Sequence, residues 1–293
     1  MRSITENIGV RAPAVILVGR VAALGGRENA FTNRDYTGYY QQIPANKLQE
    51  VMALEADRMR HLNVDASEFA QEIKVVMEER RMRTDDQPTA KLFEQLSAVA
   101  YQAHPYRVPV IGWMDDLENM TVHDARAWYQ QWYVPNNAYV VVVGDVDHRE
   151  VFRLAERYYG KLKPRALPER KPQREPEQQG VRRLTVKAPA DLPVVLLAFK
   201  APTLRDVERD SDPYALEMLS AILDGHDAAR FTKNLVRSQR LAVSAGAGYD
   251  ATARGPGLFY LSASPSAGHT VAELETALRA EIARIAEAGV TPE

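Results

Sequence analysis

The clearest hydrophobic pattern in the chain lies in residues 65–85. Apolar residues recur there every three to four positions, which predicts a helix with one buried stripe. The stripe consists of Phe69, Ile73, Val76 and Met77. Asp65, followed three residues later by Glu68, forms a capping-box pair and predicts that the helix begins there.

Two carboxylates of this helix, Glu72 and Glu79, are seven positions apart. Seven residues are close to two turns of about 3.6 residues each, so both side chains point the same way. Such a pair can ligate a cation and support its outer shell, or it can simply be solvated. On the residues alone the solvated interpretation is favoured, because acidic helical faces usually contact water.

Other patterns place helices and strands across residues 20–163. They predict a helix that ends at Gly25-Gly26, a strand or hairpin within 27–42, and helices over 47–60 and about 90–101. Two later helices begin at the capping pairs Thr121/Asp124 and Asp147/Glu150. Between them, the β-branched run Ala138–Val143 predicts a fully buried strand. We therefore expect one domain over residues 20–163.

A proline-rich and charged stretch over residues 164–182 predicts an extended, exposed linker. A second domain is expected over residues 183–293. Its predicted elements are a strand over 193–199, helices over 213–223 and 229–237, a strand over 257–264 and a helix over 271–288. Thr291-Pro292-Glu293 has the pattern of another helix start, so we expect this domain to be truncated.

Composition narrows the class of protein. Hydrophobic residues make up 45% and charged residues 26% of the 293 positions, as in globular domains. The net charge of −2 gives no basic excess, so a nucleic-acid partner is not expected. There is no cysteine, which excludes disulfides and thiol catalysis. No apolar run predicts a membrane span, and residues 1–19 do not fit a secretory signal.

Familiar catalytic motifs are absent from the sequence. There is no Gly-x-Ser-x-Gly elbow and no phosphate-binding loop. The six histidines never stand four positions apart, so no two of them form the usual zinc pair on a helix. The residues alone indicate a two-domain α+β protein whose carboxylate pair is unexplained.

Several motifs together resemble the pitrilysin/insulinase (inverzincin) family of zinc peptidases, which includes mitochondrial processing peptidase. They are Val21–Thr32, Asp35–Tyr40, Leu54–Met59, the Glu72-to-Glu79 helix, His104–Tyr106 with Gly112-Trp113, Trp132–Ala138 and Val143–Val146. The resemblance covers residues 20–293. It implies an α+β fold of two consecutive, similar α/β-sandwich domains of the processing-peptidase (LuxS/MPP-like) type. The first would lack its N-terminal part, and the second would be truncated.

The resemblance also implies a site. Glu79 corresponds to the zinc-binding glutamate of the family, and Glu72 to the acidic residue that supports it. Asn29, Ala30, Phe31 and Thr32 resemble the edge strand beside the metal, where a peptide substrate would pair by strand addition. In the intact family member, Zn²⁺ and a glutamate would activate water for attack on the scissile carbonyl.

One departure from the family pattern is severe. The His-x-x-Glu-His helix, expected just upstream of Val21, is missing, and residues 1–19 resemble no part of the family. One carboxylate is too few ligands for catalytic zinc, so we expect this polypeptide to be inactive. A displaced reading frame or start is favoured over natural loss, because the resemblance begins abruptly and Glu72 and Glu79 persist.

The residues with which partner-type subunits hold the substrate also differ in this sequence. Partner-type subunits of the family carry an arginine and a tyrosine that hold the substrate. Arg237 matches the arginine or is a solvated helix end, whereas Val243 stands at the tyrosine position. The resemblance therefore implies a metal-bearing subunit that needs a complementary peptidase subunit or a homodimer. The alternative is a non-catalytic substrate-binding or assembly subunit. Compartment stays open, although bacterial relatives are often exported to the periplasm.

Overall fold

The computed structural model describes residues 20–290. The chain folds as two compact units. Among the described residues, the first unit comprises residues 20–86 together with Val108–Pro172, and the second comprises Gln87–Arg107 together with residues 173–290. The domain boundaries near residues 163 and 183 stay a prediction. The two compact units differ from the predicted domains chiefly because Gln87–Arg107 belongs to the second unit.

The described residues form both α-helices and β-strands. In order they are β1 (Arg27–Thr32), β2 (Thr37–Gln42), α1 (Leu48–His61), α2 (Ala66–Arg80), α3 (Pro88–Ala100), α4 (Met114–Asn119), α5 (Val122–Trp132), α6 (His148–Tyr158), β3 (Val195–Ala201), α7 (Asp212–Asp224), β4 (Ala242–Gly248), β5 (Gly257–Pro265) and α8 (Val271–Ala288). The chain also forms two π-helical segments, Arg81–Asp85 and Phe231–Ser238. No helix within residues 20–290 is both long and apolar enough to cross a membrane.

The predicted hairpin is confirmed. Strands β1 and β2 pair antiparallel, with Asn29 opposite Tyr40 and Ala30 opposite Tyr39. The loop between them is closed by the side chain of Asn33, whose Oδ1 accepts from the backbone N–H groups of Asp35 and Tyr36, both at 2.8 Å. Asparagine favours such turns because its side chain replaces a backbone acceptor.

Helix α2 begins where the sequence predicts. The Asp65 carboxylate accepts from the N–H groups of Ser67 and Glu68, which satisfies donors that the first turn leaves open. The predicted buried stripe of Phe69, Ile73, Val76 and Met77 is wrong, because these side chains are only half-buried. The helix packs against α4 and α5 within the described residues, and its buried side chain is Arg80, which donates to the carbonyl oxygen of Gly112 at 2.8 Å.

The predicted buried strand Ala138–Val143 is also wrong. The segment is not a strand in the structure, and the exposed fractions of Tyr139, Val141 and Val143 are 98%, 81% and 91%. Branched side chains favour extended backbone locally, but burial requires a neighbouring strand. The described part of the chain provides none beside this segment.

The second unit is built on an antiparallel sheet of order β3-β5-β4. Strand β5 is central, and its alternate residues Phe259, Leu261 and Ala263 are buried. They pack with Leu274 and Leu278 of α8, which the Thr270/Glu273 capping box starts. The predicted bounds of α8 are confirmed. The helix expected over 229–237 is instead the π-helical segment Phe231–Ser238, and β4 was not predicted.

Candidate functional site

Both predicted zinc-site carboxylates lie on α2. The Glu79 side chain is 15% exposed, and its Oε1 is 2.7 Å from Nη1 of Arg83 in the following π-helical segment. An arginine at this distance compensates the negative charge of the glutamate. The assignment of Glu79 as a metal ligand and of Glu72 as its support stays a prediction.

The predicted peptide-pairing strand is β1. Its partner on one side is β2, and no strand among residues 20–290 pairs with its other edge. The side chain of Asn29 accepts from the N–H of Ala30 at 2.7 Å. Phe31 is 43% exposed and contacts the rings of Tyr36 and Tyr40. Thr32 is hydrogen-bonded to Thr37 at the end of the hairpin.

Arg237 lies in the other unit, in the π-helical segment Phe231–Ser238, with an exposed side chain. The structure thus places the α2 carboxylates and the Asn29–Thr32 strand in the first unit and Arg237 in the second. The roles proposed for these residues stay predictions.

The donor set does not fit catalytic zinc. Residues 20–290 contain no group of three or more histidine, aspartate or glutamate side chains that could hold a metal ion. Residues 1–19 add only Glu6 and contain no histidine. Catalytic zinc needs about three protein ligands and a water. We derive no metal-dependent step for this polypeptide.

A buried polar network lies between the hairpin and α1. Gln41 of β2 donates to Oε1 of Glu55 at 2.9 Å, and Glu55 pairs with Arg58 one turn later. The side chains of Glu55 and Arg58 are 16% and 13% exposed. The Arg58 guanidinium lies 3.9 Å from the ring centroid of Tyr39. An acid at Glu55, within the apolar spacing of this helix, is the sequence feature that could have indicated the network.

Glu28 of β1 faces this network. The pKa of Glu28 is raised to about 7, chiefly by burial and also by the nearby Glu55 carboxylate, while Arg58 acts to lower it. Its Oε2 is buried without a hydrogen-bond partner in the described structure. The negative charge of ionised Glu28, near the start of the candidate peptide strand β1, is therefore poorly compensated by the groups around it.

Glu28→Gln is expected to stabilise the protein at about pH 8 by about 1.5 kcal/mol, a value reduced for solvent screening. The raised pKa means that the folded state binds the proton more tightly, so wild-type stability increases as pH falls from about 7 towards 4.5. Near pH 4.5 the variant should match wild type. Urea unfolding followed by tryptophan fluorescence tests this, because Trp113, Trp128 and Trp132 all lie in the first unit. Equal stabilisation at both pH values, or the same gain in the exposed control Glu118→Gln, would contradict it.

Comparison with known proteins matches both parts of the chain. The profile of the insulinase family (peptidase family M16) matches residues 11–112. The profile described as the peptidase M16 inactive domain matches residues 119–293.

Individual relatives are consistent with these matches. The zinc protease PqqE of Helicobacter pylori is 36% identical over 229 residues, covering 77% of this chain and 50% of that protein. A probable mitochondrial-processing peptidase subunit beta of Schizosaccharomyces pombe is 30% identical over 142 residues, 48% of this chain and 31% of that protein. The crystal structure of a protease from Helicobacter pylori has a TM-score of 0.87 at 30% identity, covering 98% of this chain and 73% of that one. The chain spans about half the length of the curated relatives that it matches first, at 50% and 51%.

Proposed function

Because the chain belongs to the insulinase family of peptidases, peptidase family M16, we propose that this polypeptide binds extended peptides along β1 without hydrolysing them. The family resemblance found in the sequence is confirmed, as is the mixed helix-and-sheet fold with two domains. Relatives of the chain are named zinc proteases, so zinc belongs to the family.

The incomplete set of zinc ligands supports the proposal that this polypeptide does not hydrolyse peptides. Glu79 is the one family zinc ligand with a counterpart here, and it is paired with Arg83 at 2.7 Å. No side chain in the 293 residues corresponds to the two histidines and the general-base glutamate of a His-x-x-Glu-His helix. Without a metal-bound water and a base, attack on a peptide carbonyl has no activated nucleophile.

The free edge of β1 supports the peptide-binding half of the proposal. Strand addition supplies backbone hydrogen bonds that do not depend on the peptide sequence. The N–H of Ala30 is held by the side chain of its neighbour Asn29 at 2.7 Å. An arriving peptide would exchange this local bond for ladder bonds along Asn29–Thr32.

A fluorescent peptide in two forms tests the binding mode. The ordinary peptide is expected to bind, and a copy methylated on alternate backbone nitrogens should bind about tenfold more weakly, because each lost hydrogen bond weakens binding severalfold. Methylation at one terminal nitrogen outside the paired segment is the matched control. Equal affinity of all three forms would contradict pairing along β1.

The proposal includes a partner chain. Relatives include a processing-peptidase subunit beta and a cytochrome b-c1 complex subunit 1, which supports a role as one subunit of a pair. Exposed apolar side chains at Tyr139, Val141 and Val143 also favour association. We propose a complementary peptidase subunit or a second copy as the partner, with the chain as its substrate-binding or assembly subunit.

A further inference from the structure

A cleft of about 540 Å³ opens in the first unit. Its walls come from the end of α1 with the residues after it, from α5 with the turn that follows, and from residues 162–165. Apolar side chains form part of the lining, among them Leu62, Val64 and Leu162.

The charged lining of this cleft has one sign. Arg60, Arg126, Lys163 and Arg165 all line it, and none of its lining residues is an aspartate or a glutamate. Cations gathered in a concave surface with apolar walls produce a focused positive potential. The protein as a whole has a net charge of −2, so this potential is local and not a general property of the surface.

Two of these arginines are held in place by backbone carbonyl groups. Arg126 donates from Nε and Nη2 to the carbonyl oxygen of Val64, at 2.9 and 2.7 Å. Arg165 donates from Nη1 to the carbonyl oxygen of Gln130 at 3.3 Å. Nη1 of Arg126 and Nη2 of Arg165 take no part in these bonds. A guanidinium that is already held in place loses less entropy when it binds a carboxylate.

The Asp65 carboxylate, which interacts electrostatically with Arg126, already accepts hydrogen bonds from other groups. Arg126 contributes to the lowered pKa of Asp65, whose main causes are its hydrogen bonds to Ser67 and Glu68. Asp65 caps α2 with its carboxylate and does not line the cleft.

The cleft is connected to the candidate peptide strand. Tyr133 lines the cleft, and its hydroxyl is 2.8 Å from the hydroxyl of Tyr39 in β2. Tyr39 stands opposite Ala30 of β1 in the hairpin. We propose that this cleft is an exosite for an acidic segment of a bound peptide, with Asp or Glu side chains on its arginines and aliphatic parts on its apolar wall. The proposal rests on the proposed peptide-binding function.

A Glu-rich fluorescent peptide and its Gln-substituted copy test the exosite with the full chain. The acidic peptide should bind about tenfold more tightly than the neutral copy at low salt, and the difference should shrink as salt is added. The double variant R60E/K163E should remove this difference. Neither side chain makes a hydrogen bond or ion pair among residues 20–290, so the fold should tolerate both changes. R149E/K233E makes the same change in net charge at exposed positions outside the cleft and should behave as wild type.

The outcomes separate the two proposals. Tight binding of the acidic peptide that R60E/K163E abolishes and backbone methylation does not would support the exosite while contradicting pairing along β1. Equal affinity for the Glu-rich peptide and its Gln-substituted copy would overturn the exosite, whether or not neutral peptides bind along β1. An equal loss of the preference for the acidic peptide in R149E/K233E would also overturn it. Competition by inorganic phosphate as effective as by the acidic peptide would also overturn it, because a simple anion makes no use of the apolar wall.

Discussion

Glu175→Gln is expected to lower the free energy of unfolding at pH 7 by about 2 kcal/mol. The Glu175 carboxylate accepts from the backbone N–H groups of Gln102, Ala103 and His104, at 2.8, 2.9 and 2.9 Å. Lys200 adds an ion pair at 3.4 Å, and the Glu175 side chain is 7% exposed. A neutral amide cannot accept all three bonds, so at least one of these backbone N–H groups loses its partner.

The effect should depend on pH. Burial alone would raise the pKa of Glu175, but the three N–H donors and Lys200 together lower it to about 2. The stability that this carboxylate contributes is therefore present above pH 4.5 and is lost as pH falls towards 2. The difference between Glu175→Gln and wild type should disappear over that range.

Urea unfolding at several pH values measures this difference, and hydrogen exchange of the 102–104 amides localises it. Glu177→Gln is the matched control, because that residue is exposed and lies two positions further along the same segment. Unchanged exchange of these amides in Glu175→Gln would show that the carboxylate does not hold the loop.

Leu261→Ala is expected to cost about 3 kcal/mol. Leu261 is fully buried on the central strand β5, between Leu197 of β3 and Ala247 of β4 in the sheet register. The truncated side chain leaves a cavity beside α8, and a sheet paired on both sides of β5 cannot easily collapse into it. Thermal or urea unfolding followed by circular dichroism gives the measurement. The exposed Leu192→Ala should cost less than about 0.5 kcal/mol, and a comparable loss there would contradict a core in this sheet.

Elements with strong local determinants could be predicted from sequence. Helix α8 has the capping box of Thr270 and Glu273 at its start and Gly289 after its end, and its bounds were predicted as found. Helix α2 starts where the Asp65 carboxylate accepts backbone N–H groups. In both cases the residues that define the helix end are within four positions of it, so local sequence contains the information.

Elements that depend on distant partners could not be predicted. Strand β4 contains alanine and glycine in five of its seven positions, and only pairing with β5 makes it a strand. The opposite error occurred at Ala138–Val143, where a β-branched run has no pairing strand in the described structure. Branching sets a local preference, but burial is decided by tertiary contacts.

The same distinction holds for the candidate site. The family pattern predicts site roles for Glu79 and Asn29–Thr32 from local motifs, and these roles stay predictions. The network around Glu28, Glu55 and Arg58 joins β1 with α1, and Tyr39 meets Tyr133 across 94 positions of sequence. Residues 164–182 show this too. They contain no helix or strand, yet the Glu175 carboxylate within them accepts hydrogen bonds from backbone N–H groups of the distant loop 102–104.

Native mass spectrometry of the purified 293-residue chain with zinc and a peptide tests the central claim most directly, because it reports bound metal, bound peptide, cleavage products and the number of copies together. We expect intact peptide bound to the protein, no stoichiometric zinc and no cleavage products. One zinc ion per chain with cleavage that a chelator stops would contradict the account.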